Sequence, residues 1–136
     1  MVEIEMNYEG HLRCVARHQP SGGTISTDAP VDNQGRGESF SPTDLVATAV
    51  ITCMATIMGI AARDRDIDLT RMRMKVKKEM AGDLPRRIGA LHVEIFVPVA
   101  LDHQDRRVLE NAAMTCPVHQ SIHPDIAVNI EWHWER

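Results

Sequence analysis

Residues 41–65 read SPTDLVATAVITCMATIMGIAARDR, and the rest of the chain has to accommodate this stretch. Ser41 is a good helix N-cap, Pro42 suits the first helical position, and Asp44 falls where a capping box puts its acid. From Leu45 to Ala62 there is no charge. Val46, Ala49, Val50, Cys53, Ile57 and Ile60 are expected to share one face, but the other faces are also mostly apolar or Thr. A helix apolar nearly all round must be covered on nearly all sides. One small sheet covers only one of them, so a second copy of the chain is the expected cover for the other, in a homodimer with the helices inside. Cys53 lies mid-helix, a thiol that water reaches only through an open cleft.

Upstream, Val2, Ile4, Met6 and Tyr8 alternate with Glu3, Glu5 and Asn7, the period of a half-buried strand. After a Glu9-Gly10 turn the chain returns over His11–Arg17, with Leu12, Cys14 and Ala16 on one face, and Thr24–Thr27 forms a short third strand. Asp28 to Phe40 has no period and reads as a loop feeding the helix, a favoured place for function. Downstream, Met72, Met74, Val76 and Met80 alternate with Arg71, Arg73, Lys75 and Lys77. This predicts a fourth strand with a basic, solvated outer face, for which Glu3 and Glu5 could supply cross-strand partners. Leu91, Val93, Ile95 and Val97 mark a fifth strand. Asp102 can cap a second helix over about 103–115, with stripe Leu109, Ala112, Ala113 and Cys116, and Pro117 kinks or restarts the chain. Val128, Ile130, Trp132 and Trp134 mark a sixth strand. The order βββ-α-ββ-α-β is an α+β pattern of mostly antiparallel strands.

Length and composition narrow the function classes. The 136 residues suit one domain, and 43% apolar with 25% charged residues is ordinary for a soluble globular chain. A net charge of −4 argues against a nucleic-acid partner. The apolar stretch is short for a membrane span and carries Thr48, Thr52 and Thr56, so no membrane is expected. MVEIEMNYEG lacks a basic flank followed by an apolar run, so no signal peptide is expected, and three widely spaced cysteines do not make a secreted disulfide scaffold. A cytoplasmic location is the expectation.

Three thiols could carry chemistry. Cys14, between Leu12 and Ala16, reads as a small buried hydrophobe. Cys53 alone would read as core. Cys116, followed by Pro117, sits at a plausible helix start, where backbone N–H groups favour a thiolate and would make it the more acidic of the pair. Cys116, His119 and His123 have a spacing that could hold a metal, but three ligands without a paired CxxC are a weak signal, and neither metal nor cofactor is expected.

Ser-Pro-Thr-Asp-Leu at 41–45, Cys53 nine residues after Asp44, and Cys116-Pro117-Val118 together resemble the OsmC/Ohr family of osmotically inducible and organic hydroperoxide resistance proteins. Gly35-Arg36-Gly37 ahead of the helix is closer to the OsmC-like branch. The resemblance covers the whole chain as a single domain, residues 1–136. It implies two antiparallel sheets packed around central helices in an intertwined homodimer. It implies a thiol peroxidase in which Cys53 attacks an organic hydroperoxide, Cys116 resolves the sulfenic acid as a disulfide, and an outside dithiol regenerates the pair. A thiolate in an apolar helix needs a cation, because desolvation raises a thiol pKa. The family supplies an Arg from the segment before the helix, supported by a carboxylate. Arg36 and Asp44 are the matching residues, with Arg13 and Arg17 as alternatives to Arg36. In the hydroperoxide-resistance branch an acid fills the position occupied here by Thr43, while this chain has Asp44 one residue later and Glu38 upstream. That departure keeps a second expectation open, a non-enzymatic redox-sensing or small-ligand-binding member of the fold.

Overall fold

The computed structural model describes residues 1–136, in two compact units, residues 1–46 and 47–136. The first holds β1 (Ile4–Gly10), β2 (Arg13–His18) and β3 (Thr24–Asp28), a short 3-10 turn at Val31–Asn33, and the start of α1 (Pro42–Arg63). The second holds most of α1, then β4 (Arg73–Met80), β5 (Ile88–Ala100), α2 (Arg106–Met114), α3 (Pro117–Ser121) and β6 (Ala127–Glu135). The α+β class and the expected element order stand, with the late helical region divided in two.

In the first unit β1, β2 and β3 form an antiparallel meander. Met6, Ala16 and Ile25 lie in one cross-strand row and Tyr8, Cys14 and Thr27 in the next, so Ile4, Met6, Tyr8 and Ile25 share a face. These four apolar side chains are exposed. β1 is therefore not half-buried within one chain, although its alternation prescribes an apolar face. Cys14 lies on that face and is only partly covered, not the fully buried hydrophobe its neighbours suggest.

In the second unit the sheet order is β4-β5-β6. β4 pairs antiparallel with β5, as the alternation leads one to expect. β5 pairs parallel with β6, the exception in a pattern expected to be mostly antiparallel and a departure from the two antiparallel sheets that the resemblance implies. The cause is the connection: a chain that leaves β5 through two helices crosses over before it returns, and a helical crossover joins parallel neighbours. β5 is the central strand, with Ile88, Ala90, Leu91, Val93, Ile95, Val97 and Val99 buried. Glu5 belongs to the other sheet and Glu3 precedes it, so neither is a cross-strand partner for the basic face of β4; Lys75 instead stands opposite Glu94, and Lys77 opposite His92.

α1 buries Ala47, Val50, Met54, Met58 and Ala62, spaced by three or four residues as one helical face requires. This differs from the expected stripe, which shares only Val50 with it; Ile60 is exposed and Cys53 half-buried. Where every face is apolar, hydrophobicity carries no phase, and packing selects the stripe. Two flexible methionines fill the selected one. The exposed Thr52 and Thr56 donate their hydroxyls back to the carbonyls of Thr48 and Thr52, both at 2.8 Å, so this face presents methyl groups with its polar atoms satisfied. By length and composition α1 could cross a membrane.

α2 begins after Asp105, not at Asp102. A turn intervenes, with the Asp105 N–H donating to His103 Nδ1 at 3.0 Å and the Arg106 N–H to the His103 carbonyl at 3.1 Å. Leu109, Ala112 and Ala113 form its buried stripe, as the sequence pattern requires.

Candidate active site

The start of α1 is closed by a reciprocal capping box. The Asp44 N–H donates to Ser41 Oγ at 3.1 Å, and the Ser41 N–H donates to Asp44 Oδ2 at 2.9 Å. Ser41 is buried, so this exchange satisfies donors that water does not reach. Asp44 thus works as a cap. Thr43 contributes a hydroxyl 3.2 Å from Ser41 Oγ and no carboxylate.

The segment between β3 and α1 is organised around a residue the sequence reading did not single out. Asp28 is fully buried and its Oδ2 accepts the Glu38 N–H at 3.0 Å. Its Oδ1 is buried without a hydrogen-bond partner. The available signal was an Asp ending a strand ahead of a Pro-, Asn- and Gly-rich loop, where carboxylates tie down backbone amides. Glu38 in turn pairs with Arg13 at 3.2 Å. Arg36 is exposed, between Gly35 and Gly37. Gly37 has φ +64°, and a Cβ at position 35 would lie 1.7 Å from the Ala29 carbonyl oxygen. Gly35 therefore cannot be replaced without moving the backbone that carries Arg36.

In the second unit the fold brings two of the predicted residues together. Cys53, half-buried on α1, and Cys116, fully buried between α2 and α3, are neighbouring free thiols, near enough for Cys53 to act on the Cys116 proton. Local chemistry fixes the second sulfur. Cys116 precedes Pro117 and takes the extended backbone that a residue before proline prefers, φ −64° and ψ 144°. That conformation makes it the N-cap of α3, with Pro117 at the first helical position and the His119 N–H donating to Cys116 Sγ at 3.3 Å. His119 Nδ1 lies 3.2 Å from the Met114 carbonyl, which makes Nδ1 the protonated nitrogen.

Two opposing influences act on Cys116. Burial pushes its thiol up, more strongly than the His119 N–H pulls it down, and Cys53 beside it also pushes it up. This runs against the helix-start reasoning, which taken alone favours a thiolate at Cys116. Desolvation of a fully buried sulfur outweighs one turn of backbone donors. Burial thus favours the protonated form of Cys116 beside Cys53.

The metal spacing of Cys116, His119 and His123 does not become a cluster. α3 ends at Ser121, so the two histidines are not on one helical face, and His123 Nδ1 accepts the Asp125 N–H at 3.0 Å.

A family model described as OsmC-like protein matches residues 35–131, spanning both cysteines and the α1 cap. The chain belongs to the OsmC family. A solved OsmC-fold relative from Psychrobacter arcticus 273-4, named for osmotic stress induction and a detoxification response, is 48% identical, with 98% of this chain and 96% of that one covered and a TM-score of 0.91. At 18% identity, an organic hydroperoxide resistance protein OsmC from Legionella pneumophila shares the fold over 98% of this chain and 96% of its own, with a TM-score of 0.73. An organic hydroperoxide resistance-type structure from Vibrio cholerae, with captopril bound in one active site, is 14% identical over 96% of this chain and 90% of its own, with a TM-score of 0.74. No curated protein sequence matches this OsmC chain.

Proposed function

We propose that this OsmC-family chain is a thiol peroxidase that reduces organic hydroperoxides. The observation that carries the reading is the pairing of a half-buried Cys53 with a fully buried Cys116 at the N-cap of α3. The accessible sulfur is the one a peroxide can meet, and the buried sulfur is the one held ready behind it. The Cys53 thiolate attacks the outer peroxide oxygen, the O–O bond breaks, and the alcohol leaves with a proton. Cys53 sulfenic acid remains. Cys116 then attacks that sulfur, water departs, and a Cys53–Cys116 disulfide forms. A dithiol reductant restores both thiols by exchange. In this scheme the cation that the Cys53 thiolate needs is assigned to Arg36 on the family resemblance alone, and Asp44 holds the start of α1 through its cap.

We also read the working form as a homodimer in the cytoplasm. The exposed apolar face at Ile4, Met6, Tyr8 and Ile25, and the sparse burial along α1, support a second copy as the cover. The names of the Legionella and Vibrio proteins support the hydroperoxide class of substrate.

The test is consumption of cumene hydroperoxide with a dithiol present. Turnover is expected from the wild-type chain and none from Cys53→Ser. Cys116→Ser should give one turnover and a sulfenic acid that a dimedone probe traps. Sustained turnover by Cys53→Ser would overturn the reading. A second reading, a redox-responsive protein without turnover, is favoured by the hydroxyl of Thr43 where the hydroperoxide-resistance branch carries an acid. Its mark is a disulfide formed once, with no continued peroxide loss when dithiol is supplied.

A further inference from the structure

We propose that the reductant reopening the Cys53–Cys116 disulfide attacks the sulfur of Cys53, and that Cys116 departs as a thiolate received by the first turn of α3. This deepens the peroxidase reading and rests on it. An incoming thiolate must approach along the S–S axis, from the side opposite the leaving sulfur, so access decides which sulfur is attacked. Cys116 has no exposed surface, and Leu109 and Ala113 just before it in α2 are fully buried as well. Cys53 keeps part of its surface open, next to the exposed Thr52 on α1.

The two sulfurs also differ in what awaits a negative charge. Cys53 lies in the interior of α1, where backbone N–H groups are committed to carbonyls one turn earlier. Cys116 Sγ faces backbone donors with no such commitment: the His119 N–H at 3.3 Å and, with a weaker pull, the Val118 N–H. Donors fixed in place before the charge develops offset part of what burial costs the departing thiolate, and access, not leaving-group acidity, selects Cys53 as the sulfur attacked. Because burial favours the neutral thiol, the departed Cys116 thiolate then takes up a proton and does not persist as a competing nucleophile.

The step balances. A reductant thiolate bonds to Cys53 Sγ, the Cys53–Cys116 bond breaks, and its electron pair goes to Cys116 Sγ, which is protonated. The reductant's second thiolate attacks the reductant sulfur of the mixed disulfide. The reductant becomes a disulfide, two electrons have passed to the protein, and Cys53 is released as a thiolate.

The test maps an adduct on the full wild-type chain. The protein is oxidised with one equivalent of cumene hydroperoxide and checked for loss of free thiol at both positions. Limiting glutathione is added, exchange is quenched with acid, and tryptic peptides are analysed by mass spectrometry. Glutathione is expected on the peptide containing Cys53 in about tenfold excess over the one containing Cys116, since a hydrogen bond to a charged group is worth about that factor. Equal labelling, or a majority on Cys116, overturns the inference and leaves the peroxidase reading intact. Failure to form the disulfide at the outset removes both. His119→Pro deletes the N–H that faces Cys116, and His119→Ala retains it. The proline variant should open about tenfold more slowly than the alanine variant, on the same hydrogen-bond argument; equal rates would refute the receiving role of α3.

Discussion

Closing the Cys53–Cys116 disulfide should stabilise the fold strongly, and the size of the effect follows from the topology. The two cysteines are neighbours in the reduced protein, and the bond is expected to close without a large backbone movement. The loop it closes runs from position 53 to position 116. In the chain-entropy account, a loop of about 60 residues removes close to 4 kcal/mol of denatured-state entropy at 25 °C. For a chain of this size that is about 10–20 °C in Tm. In urea, with a slope near 2 kcal/mol per molar, it is about 2 M in the midpoint. The assay compares urea unfolding of oxidised and reduced protein, followed by the fluorescence of Trp132 and Trp134, which stack on each other in β6 at 5.4 Å. The Cys53→Ser, Cys116→Ser double variant should show no difference between the two conditions. An oxidised protein no more stable than the reduced one would mean that the bond closes only by distorting α1 or the α2–α3 junction. The claim that the fold presents the pair ready to react would then be wrong.

The buried thiol of Cys116 makes a second, pH-linked prediction. Its folded-state pKa lies above its unfolded one. Its contribution to stability is therefore complete below the unfolded value and is lost as pH rises through the folded value. Stability of the reduced protein should start to fall above about pH 8.5, the ordinary thiol range, and Cys116→Ser should remove that part of the decline in urea titrations. Asp44→Ala removes the carboxylate that accepts the Ser41 N–H and should cost about 0.5–2 kcal/mol in chemical denaturation, in the range of a lost cap. A double change, Ile4→Lys with Met6→Glu on the exposed apolar face of β1, should convert dimer to monomer in sedimentation velocity. An unchanged sedimentation coefficient would show that this face is not the interface.

The elements that were legible before folding are those whose pattern carries its own phase. β4 and β5 alternate with a period of two, and a strand buries every second residue, so Leu91, Val93, Ile95 and Val97 announced which side they bury. α1 announced its existence through Ser41, Pro42, Asp44 and the charge-free run that follows, but not its orientation. Uniform hydrophobicity has no direction, and the buried stripe through Met54 and Met58 is chosen by what packs there. The parallel pairing of β6 on β5 depends on strand order in space, about which the alternation of Val128, Ile130 and Trp132 is silent.

The candidate site divides in the same way. Ser41–Asp44 was readable because a capping box is local. Cys116 as an N-cap was readable from the proline that follows it. The meeting of Cys53 with Cys116 was not contained in their spacing and entered only through a family resemblance. The acidity of Cys116 was not legible because burial cannot be seen along the chain, and burial prevails over the helix start. Asp28 was passed over because an Asp at the edge of a polar loop looks solvated. In the fold it is fully buried and holds that loop through the Glu38 amide.

The most direct measurement is disulfide mapping of the reduced wild-type protein after one equivalent of an organic hydroperoxide. The account predicts a mass loss of two hydrogens and a single linked pair of peptides, one carrying Cys53 and the other Cys116, with Cys14 remaining free. A Cys53 that accumulates as sulfinic acid, or a link through Cys14, would contradict it.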